Sequence, residues 1–216
     1  MVGMDYSISI PKESPRTLDQ GEEYCIFKDD SGKESQKIGV HEYGKIYSIP
    51  GLYETLFYKK LKCSSPKTVC TLLKDIVSEH ETDLRALCVL DLGAGNGMVG
   101  EELRNIGVKK VYGIDIEENA KKAVERDRPG IYKKYYVEDL LRMPHSLREE
   151  LNDKPFNCMT TVAALGFGDI PPKVFGEGFN FLSTPGWIAF NIKEDFLTKK
   201  DTTGFSFLIR KMIEEG

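Results

Sequence analysis

The run Cys88-Val89-Leu90-Asp91-Leu92 is apolar and strand-forming with a single acid inside it. Gly93-Ala94-Gly95-Asn96-Gly97 follows at once, and Met98-Val99-Gly100-Glu101-Glu102-Leu103 then has helical spacing. Three alternate glycines between a strand and a helix let the backbone turn tightly and keep Cβ atoms out of the way of a ligand. Such a unit opens an open α/β sheet, whose ligands gather beyond the carboxyl ends of the strands. The segment predicts a cofactor cradle made of Asp91, Gly93, Ala94, Gly95, Asn96 and Gly97. The bland alternative is a glycine-rich turn that holds nothing.

The rest of the chain agrees with this opening. Apolar runs rich in branched residues fall at 86–92, 110–114, 132–137, 156–162 and 187–192, and amphipathic stretches separate them at 99–105, 117–127, 146–151 and 172–182. Five strands joined by helical crossovers predict a doubly wound, mostly parallel sheet of the α/β class. With 216 residues there is room for one such domain and an N-terminal extension. Three parts are expected. Residues 1–50 form an extension, with short β-like runs at 24–27 and 38–40 flanking a turn at 30–33 as a hairpin, behind a loose tail. Residues 51–84 are helical, with apolar spacing over 52–62 and 67–79 and Pro66 in the first turn of the second helix. Residues 85–216 are the core. The aromatics of 43–58 suit either a lid over the cofactor or ordinary packing against the sheet.

Net charge decides which partners to expect. Thirty basic residues against 34 acidic ones leave −4, which offers no general attraction to nucleic acid or an anionic membrane. No stretch approaches the roughly 18 apolar residues of a membrane span, and the first residues lack a signal core, so a cytoplasmic protein is expected. The five cysteines are scattered without metal or redox spacing, so no metal is expected and the thiols are read as reduced.

Gly95-x-Gly97-x-x-Gly100 also satisfies a dinucleotide fingerprint. Asp91 separates the two readings. A carboxylate just before the first glycine repels a pyrophosphate, whereas it favours a cofactor carrying ammonium and sulfonium groups. A nicotinamide dehydrogenase would also need catalytic residues after the loop, yet the Tyr-x-x-x-Lys pairs, Tyr24 with Lys28 and Tyr58 with Lys62, both precede it.

In these residues the chain resembles the class I, Rossmann-like S-adenosylmethionine-dependent methyltransferases, whose first motif is an acid followed by Gly-x-Gly-x-Gly. The likeness covers about residues 85–195. Within the class, Val99-Gly100-Glu101-Glu102-Leu103 and Val162-Ala163-Ala164-Leu165 are similar to the small methyltransferase-like proteins of the Williams-Beuren type. The resemblance implies sheet order 3-2-1-4-5, S-adenosylmethionine as cofactor and S-adenosylhomocysteine as product. Asp115, ending the second strand, can accept both ribose hydroxyls or cap the next helix, with Ile116 beside it. By resemblance, Asp139 takes the adenine amino group and Leu140 a ring nitrogen, with Glu138 as the alternative acid. Ala163, past the fourth strand, also joins the cofactor set. The segment 161–169 is expected to face the substrate, and it lacks the Asn-Pro-Pro-Tyr or Asp-Pro-Pro-Tyr of enzymes that methylate bases and glutamine. A full fold of this family adds two more strands after the fifth. Their absence leaves three readings: truncation, a minimal form, or an edge covered by a partner, including a second copy.

Methyl transfer mainly needs alignment and exclusion of water. Where the nucleophile must lose a proton, the candidates are Asp169, His145 and a tyrosine of the N-terminal helices. His145 also reads as an exposed loop residue and Asp169 as a helix cap. His41 and His80 receive no role. The expected function is methyl transfer to an unidentified small-molecule acceptor. The alternatives are a non-catalytic adenosylmethionine-binding protein and an NAD-dependent oxidoreductase.

Overall fold

The computed structural model describes residues 6–11, 23–29, 35–166 and 169–215. Five parallel strands form the central sheet: β4 (Cys88–Leu92), β5 (Lys110–Asp115), β6 (Lys134–Val137), β7 (Cys158–Thr161) and β8 (Trp187–Phe190), in the order β6-β5-β4-β7-β8. That is 3-2-1-4-5 when the core strands are counted from β4. The order reverses beside β4, which opens a crevice at its carboxyl end. Every residue of β4 is buried, as a central strand covered on both faces requires.

Alternation along β4 assigns its side chains to two apolar layers. Leu90 and Leu92 join Ile114, Tyr136, Met159, Phe175 and Phe205 on one face. Val89 joins Val111, Cys158, Val99 and Leu103 on the other. The first layer is closed by α5 (His145–Asn152), α6 (Pro172–Phe179) and α7 (Phe205–Glu215). The second is closed by α2 (Ser65–Glu79) and α3 (Met98–Asn105), while α4 (Glu118–Asp127) buries Ala120 and Ala123 against Tyr47 and Tyr135.

The N-terminal part differs from expectation in three ways. Tyr6–Ser9, expected within a loose tail, is a strand, β1; it pairs antiparallel with β2 (Tyr24–Asp29), which pairs in turn with β3 (Ser35–Gly39). Its alternation buries Ile8 in a cluster with Cys25, Ile38, Ile46, Leu52 and Leu56, and that burial makes a four-residue strand worthwhile. The remaining residues expected in the tail, and the turn expected at 30–33, lie outside the described residues. Second, Tyr43–Ser48 is a helix, α1, and Glu54–Lys60 a π-helical segment, and both share the small sheet's apolar cluster. Third, α2 packs on the core through Val69, Leu73 and Val77, with only Pro66 of its first turn reaching the cavity described below. The boundary drawn at residue 50 therefore cuts through one packed unit.

No strand follows β8 among the described residues. The chain forms a 3-10 turn at Glu194–Leu197 and then α7.

Gly100 shows how tightly the layers fit. A methyl group there would lie 2.6 Å from Cζ of Tyr132, so Gly100→Ala is expected to lower unfolding free energy by about 1–3 kcal/mol in a denaturant titration. Gly176 in α6 has nothing within 4 Å of the same position, and Gly176→Ala should instead raise it by about 0.5–1 kcal/mol.

Candidate active site

A cavity of about 510 Å³ opens beyond the carboxyl ends of β4, β5, β6 and β7. This lies within the usual range for small-molecule sites. Its floor is the loop after β4, where Gly93, Gly95 and Gly97 all have positive φ (71°, 50° and 85°). A Cβ on Gly93 would meet Ile170 at 2.6 Å, and one on Gly95 would meet the Tyr47 hydroxyl at 2.7 Å. Both glycines are therefore required by space as well as by dihedral angle.

Asp115 holds this loop in place. Its Oδ2 accepts the Gly95 amide at 2.8 Å and its Oδ1 the Glu117 amide at 2.9 Å, joining the glycine loop to the end of β5. Burial pushes its pKa up, while the two amides pull the other way. A carboxylate has about four lone-pair sites, so each oxygen retains capacity for a ligand donor. Ile116 beside it exposes 68% of its surface and lines the cavity, and buried Leu140 faces it from the loop after β6. Glu138 and Asp139 line the same end; Asp139 Oδ1 accepts the Leu141 amide at 2.9 Å.

Asp91 requires a correction. It is 1% exposed and does not line the cavity; its carboxylate accepts the Tyr132 hydroxyl at 2.6 Å and the Thr160 hydroxyl at 2.8 Å beneath the loop. Its charge acts on the cavity from below and makes no direct contact. Gly97 also lies off the lining, packed toward Val124, Arg128 and Tyr132. The other expected cofactor residues, Gly93, Ala94, Gly95, Asn96, Asp115, Ile116, Asp139, Leu140 and Ala163, all line it. Ala163 adopts φ 55°, a strained choice for a residue with a Cβ, and donates its amide to Asn191 Oδ1 at 2.7 Å.

The opposite wall is aromatic. Tyr43, Tyr47, Tyr53 and Tyr58 come from α1 and the segment after it, with Tyr47 and Tyr53 stacked at 5.1 Å. Lid and packing are both served: α1 lies on α4 through Tyr47, Ala120 and Ala123 while its tyrosines border the cavity. Arg128 latches this layer to the loop. It donates to Glu54 Oε1 at 2.8 Å, Glu101 Oε2 at 3.0 Å and the Asn96 carbonyl at 3.1 Å, and Asn96 donates to Glu54 Oε1 at 2.7 Å.

The two candidates for proton transfer separate. His145 begins α5, its side chain 84% exposed beside Glu149, and it does not reach the cavity. The helix start places it on the surface, so it is withdrawn. Asp169 lines the cavity, where its Oδ2 accepts the Tyr43 hydroxyl at 3.3 Å and lies 3.7 Å from His41 Nδ1. His41, given no role from sequence, therefore belongs to this site.

The lining carries five carboxylates, those of Asp115, Glu117, Glu138, Asp139 and Asp169, and no Lys or Arg among the described residues. In a partly desolvated cleft this favours a cation and disfavours a pyrophosphate.

Residues 90–190 match the family model described as a methyltransferase domain. The segment is therefore similar to methyltransferase domains, and its sheet has the Rossmann-like strand order. No curated protein matches the chain. Among solved structures, the chain is similar to the plantazolicin methyltransferase BpumL in complex with SAH, at TM-score 0.54 and 14% identity over 80% of this chain and 74% of that one. An S-adenosylmethionine-dependent methyltransferase from Clostridium acetobutylicum ATCC 824 matches at TM-score 0.48 and 17% identity, over 69% of this chain. The present chain spans 58% of that protein's length.

The buried Asp91 gives the domain a distinct pH response. Burial raises its pKa from 3.8 to about 6, against the pull of Tyr132 and Thr160. A raised native pKa means that the folded state holds the proton more tightly, so Asp91 stabilises most below about pH 4. Its contribution falls through the window to about pH 6, by on the order of 3 kcal/mol. Asp91→Asn should flatten the difference in unfolding free energy between pH 4 and pH 7; an unaltered slope would assign that dependence elsewhere.

Proposed function

We propose that the chain is an S-adenosylmethionine-dependent methyltransferase acting on a small-molecule acceptor in the cytosol. The observation that carries this reading is the cavity above the glycine loop, with five acids, four tyrosines and no basic side chain in its described lining. A sulfonium and an ammonium suit that surface, and tyrosine faces add a further attraction for cations. The diphosphate of a nicotinamide cofactor would meet only like charge there. Five free cysteines agree with a reducing compartment. Among the described residues no helix is long and apolar enough to cross a membrane.

In this reading Asp115 receives the ribose hydroxyls on the lone pairs left by Gly95 and Glu117. Ile116 and Leu140 give apolar contact to the adenine, with Asp139 or Glu138 at its amino group. The glycine loop and the first amides of α3 receive the amino-acid end. Asp91 fixes the loop from beneath through Tyr132 and Thr160. When bound, S-adenosylmethionine supplies a methyl group already activated by its positive sulfur. The protein's own work is then to orient the acceptor and exclude water, and the tyrosine wall and the Arg128 latch provide the enclosure. Approximation of this kind can lower a barrier by about 7–11 kcal/mol.

Thermal unfolding tests the cofactor directly. At a hundred times their dissociation constants, S-adenosylmethionine and S-adenosylhomocysteine should each add about 2.7 kcal/mol, a rise in midpoint of roughly 5–10 °C, while NAD adds nothing. Asp115→Ala should abolish the rise. A shift with NAD and none with either sulfur compound would reverse the reading.

A further inference from the structure

We infer that the methyl acceptor is a small amine, received as its ammonium ion by Asp169, which also takes its proton, with His41 and Tyr43 as positioning residues; this rests on the methyltransferase reading above. The geometry is a meeting of three segments at the cavity wall. His41 comes from the connection after β3, Tyr43 from α1, and Asp169 from the segment between β7 and α6. Asp169 Oδ2 lies 3.3 Å from the Tyr43 hydroxyl and 3.7 Å from His41 Nδ1, and the Tyr43 hydroxyl lies 3.2 Å from that same nitrogen. The His41 and Tyr43 rings pack edge to face at 5.6 Å. Tyr43 and Asp169 both line the cavity, so the carboxylate is held by its neighbours at the cavity wall.

Charge decides the acceptor class. A phenol, thiol or carboxylic acid attacks as an anion, and its negative charge would have to form beside Asp169 with no Lys or Arg in the described lining to balance it. An amine enters as R–NH₃⁺, attracted by the same carboxylates. One N–H proton passes to Asp169. The freed nitrogen lone pair forms the new bond to the methyl carbon as the carbon–sulfur bond breaks, and that bond's electron pair stays on sulfur as a neutral thioether. The positive charge thus moves from sulfur to nitrogen and stays among the acids throughout. Burial and Asp169 hold the pKa of Tyr43 far above its ordinary value, so its hydroxyl remains a donor and cannot itself be the base.

The test uses the full chain and three probes of one skeleton: 2-phenylethylamine, 4-ethylphenol and phenylacetate. Calorimetry on protein loaded with S-adenosylhomocysteine should show binding of the amine at least tenfold tighter than of the other two. Transfer from labelled S-adenosylmethionine should follow the same order. Asp169→Asn should weaken amine binding and lower kcat about 100-fold at pH 7. Its rate should then recover about tenfold per pH unit toward the amine's own pKa, because solvent must remove the proton. Tyr43→Phe and His41→Gln, which keep most of the packing, should shift the acid limb of the same profile and lower kcat more than they raise KM. Equal or better use of the phenol or acid overturns the inference. So does failure to bind the amine while S-adenosylhomocysteine still binds, or an Asp169→Asn profile matching wild type. Loss of S-adenosylhomocysteine binding by the unaltered chain would instead overturn the cofactor reading.

Discussion

Asp115 accepts one amide from the glycine loop and one from the turn that starts α4, and the shape of the site depends on that pair of hydrogen bonds. The first crosses between segments that leave β4 and β5, and the second turns the chain after β5 into α4, so the carboxylate ties the glycine loop to the end of β5. Charge-assisted bonds of this kind are stronger than neutral ones. They also orient the loop, since Gly95 must present its amide to Asp115 at a positive φ, with the Tyr47 hydroxyl close above it. Asp91 performs the complementary task one strand inward, where Tyr132 reaches it from before β6 and Thr160 from β7. Two acids and four donors thereby tie together β4, β5, β7 and the segment before β6 beneath the cavity.

The N-terminal layer is attached to this floor through one cation. Arg128, at the end of α4, is nearly buried and answers to Glu54 from the lid, to Glu101 from α3 and to the carbonyl of Asn96 in the loop. A buried guanidinium is stable only when several acceptors surround it, so the three segments hold their positions together. Glu54 Oε2 is buried with no hydrogen-bond partner among the described residues. An acceptor left in that state costs free energy, which offsets part of what the Oε1 bonds to Arg128 and Asn96 contribute. The tyrosine wall is carried on this layer.

Much of the core was legible because its signals are local. Parallel strands that are buried on both faces read as apolar runs, and the glycines between Leu92 and Met98 can be interpreted without knowing what they touch. The sheet order followed from the family resemblance and holds in the structure. What escaped the sequence depends on distance along the chain. β1 has only four residues and becomes a strand through its partner β2 and the burial of Ile8. His41 gained its place from Asp169, and the Tyr43 bond to the same carboxylate spans 126 positions, so no spacing rule could connect them. Asp91 was read as a cofactor contact because its place just before the glycines gives the charge that a ligand in the loop would meet. It does not say which face that side chain takes, and Tyr132 and Thr160 had already claimed it.

The concentration of acids in one cavity has an energetic consequence that links stability to ligand. Burial raises the pKa of both Asp91 and Asp115; the Asp115 charge raises that of Asp91 further, and the Glu117 charge that of Asp115. Each ionised acid therefore makes the empty domain less stable at neutral pH than an isosteric amide would. Natural sequences retain such costs where function offsets them. A cation entering the cavity removes the repulsion without disturbing the amide and hydroxyl bonds that position the carboxylates, so its binding energy includes relief of strain already present in the fold. An anion would add to it. A basic side chain in the described lining would relieve the same repulsion, and none is present there.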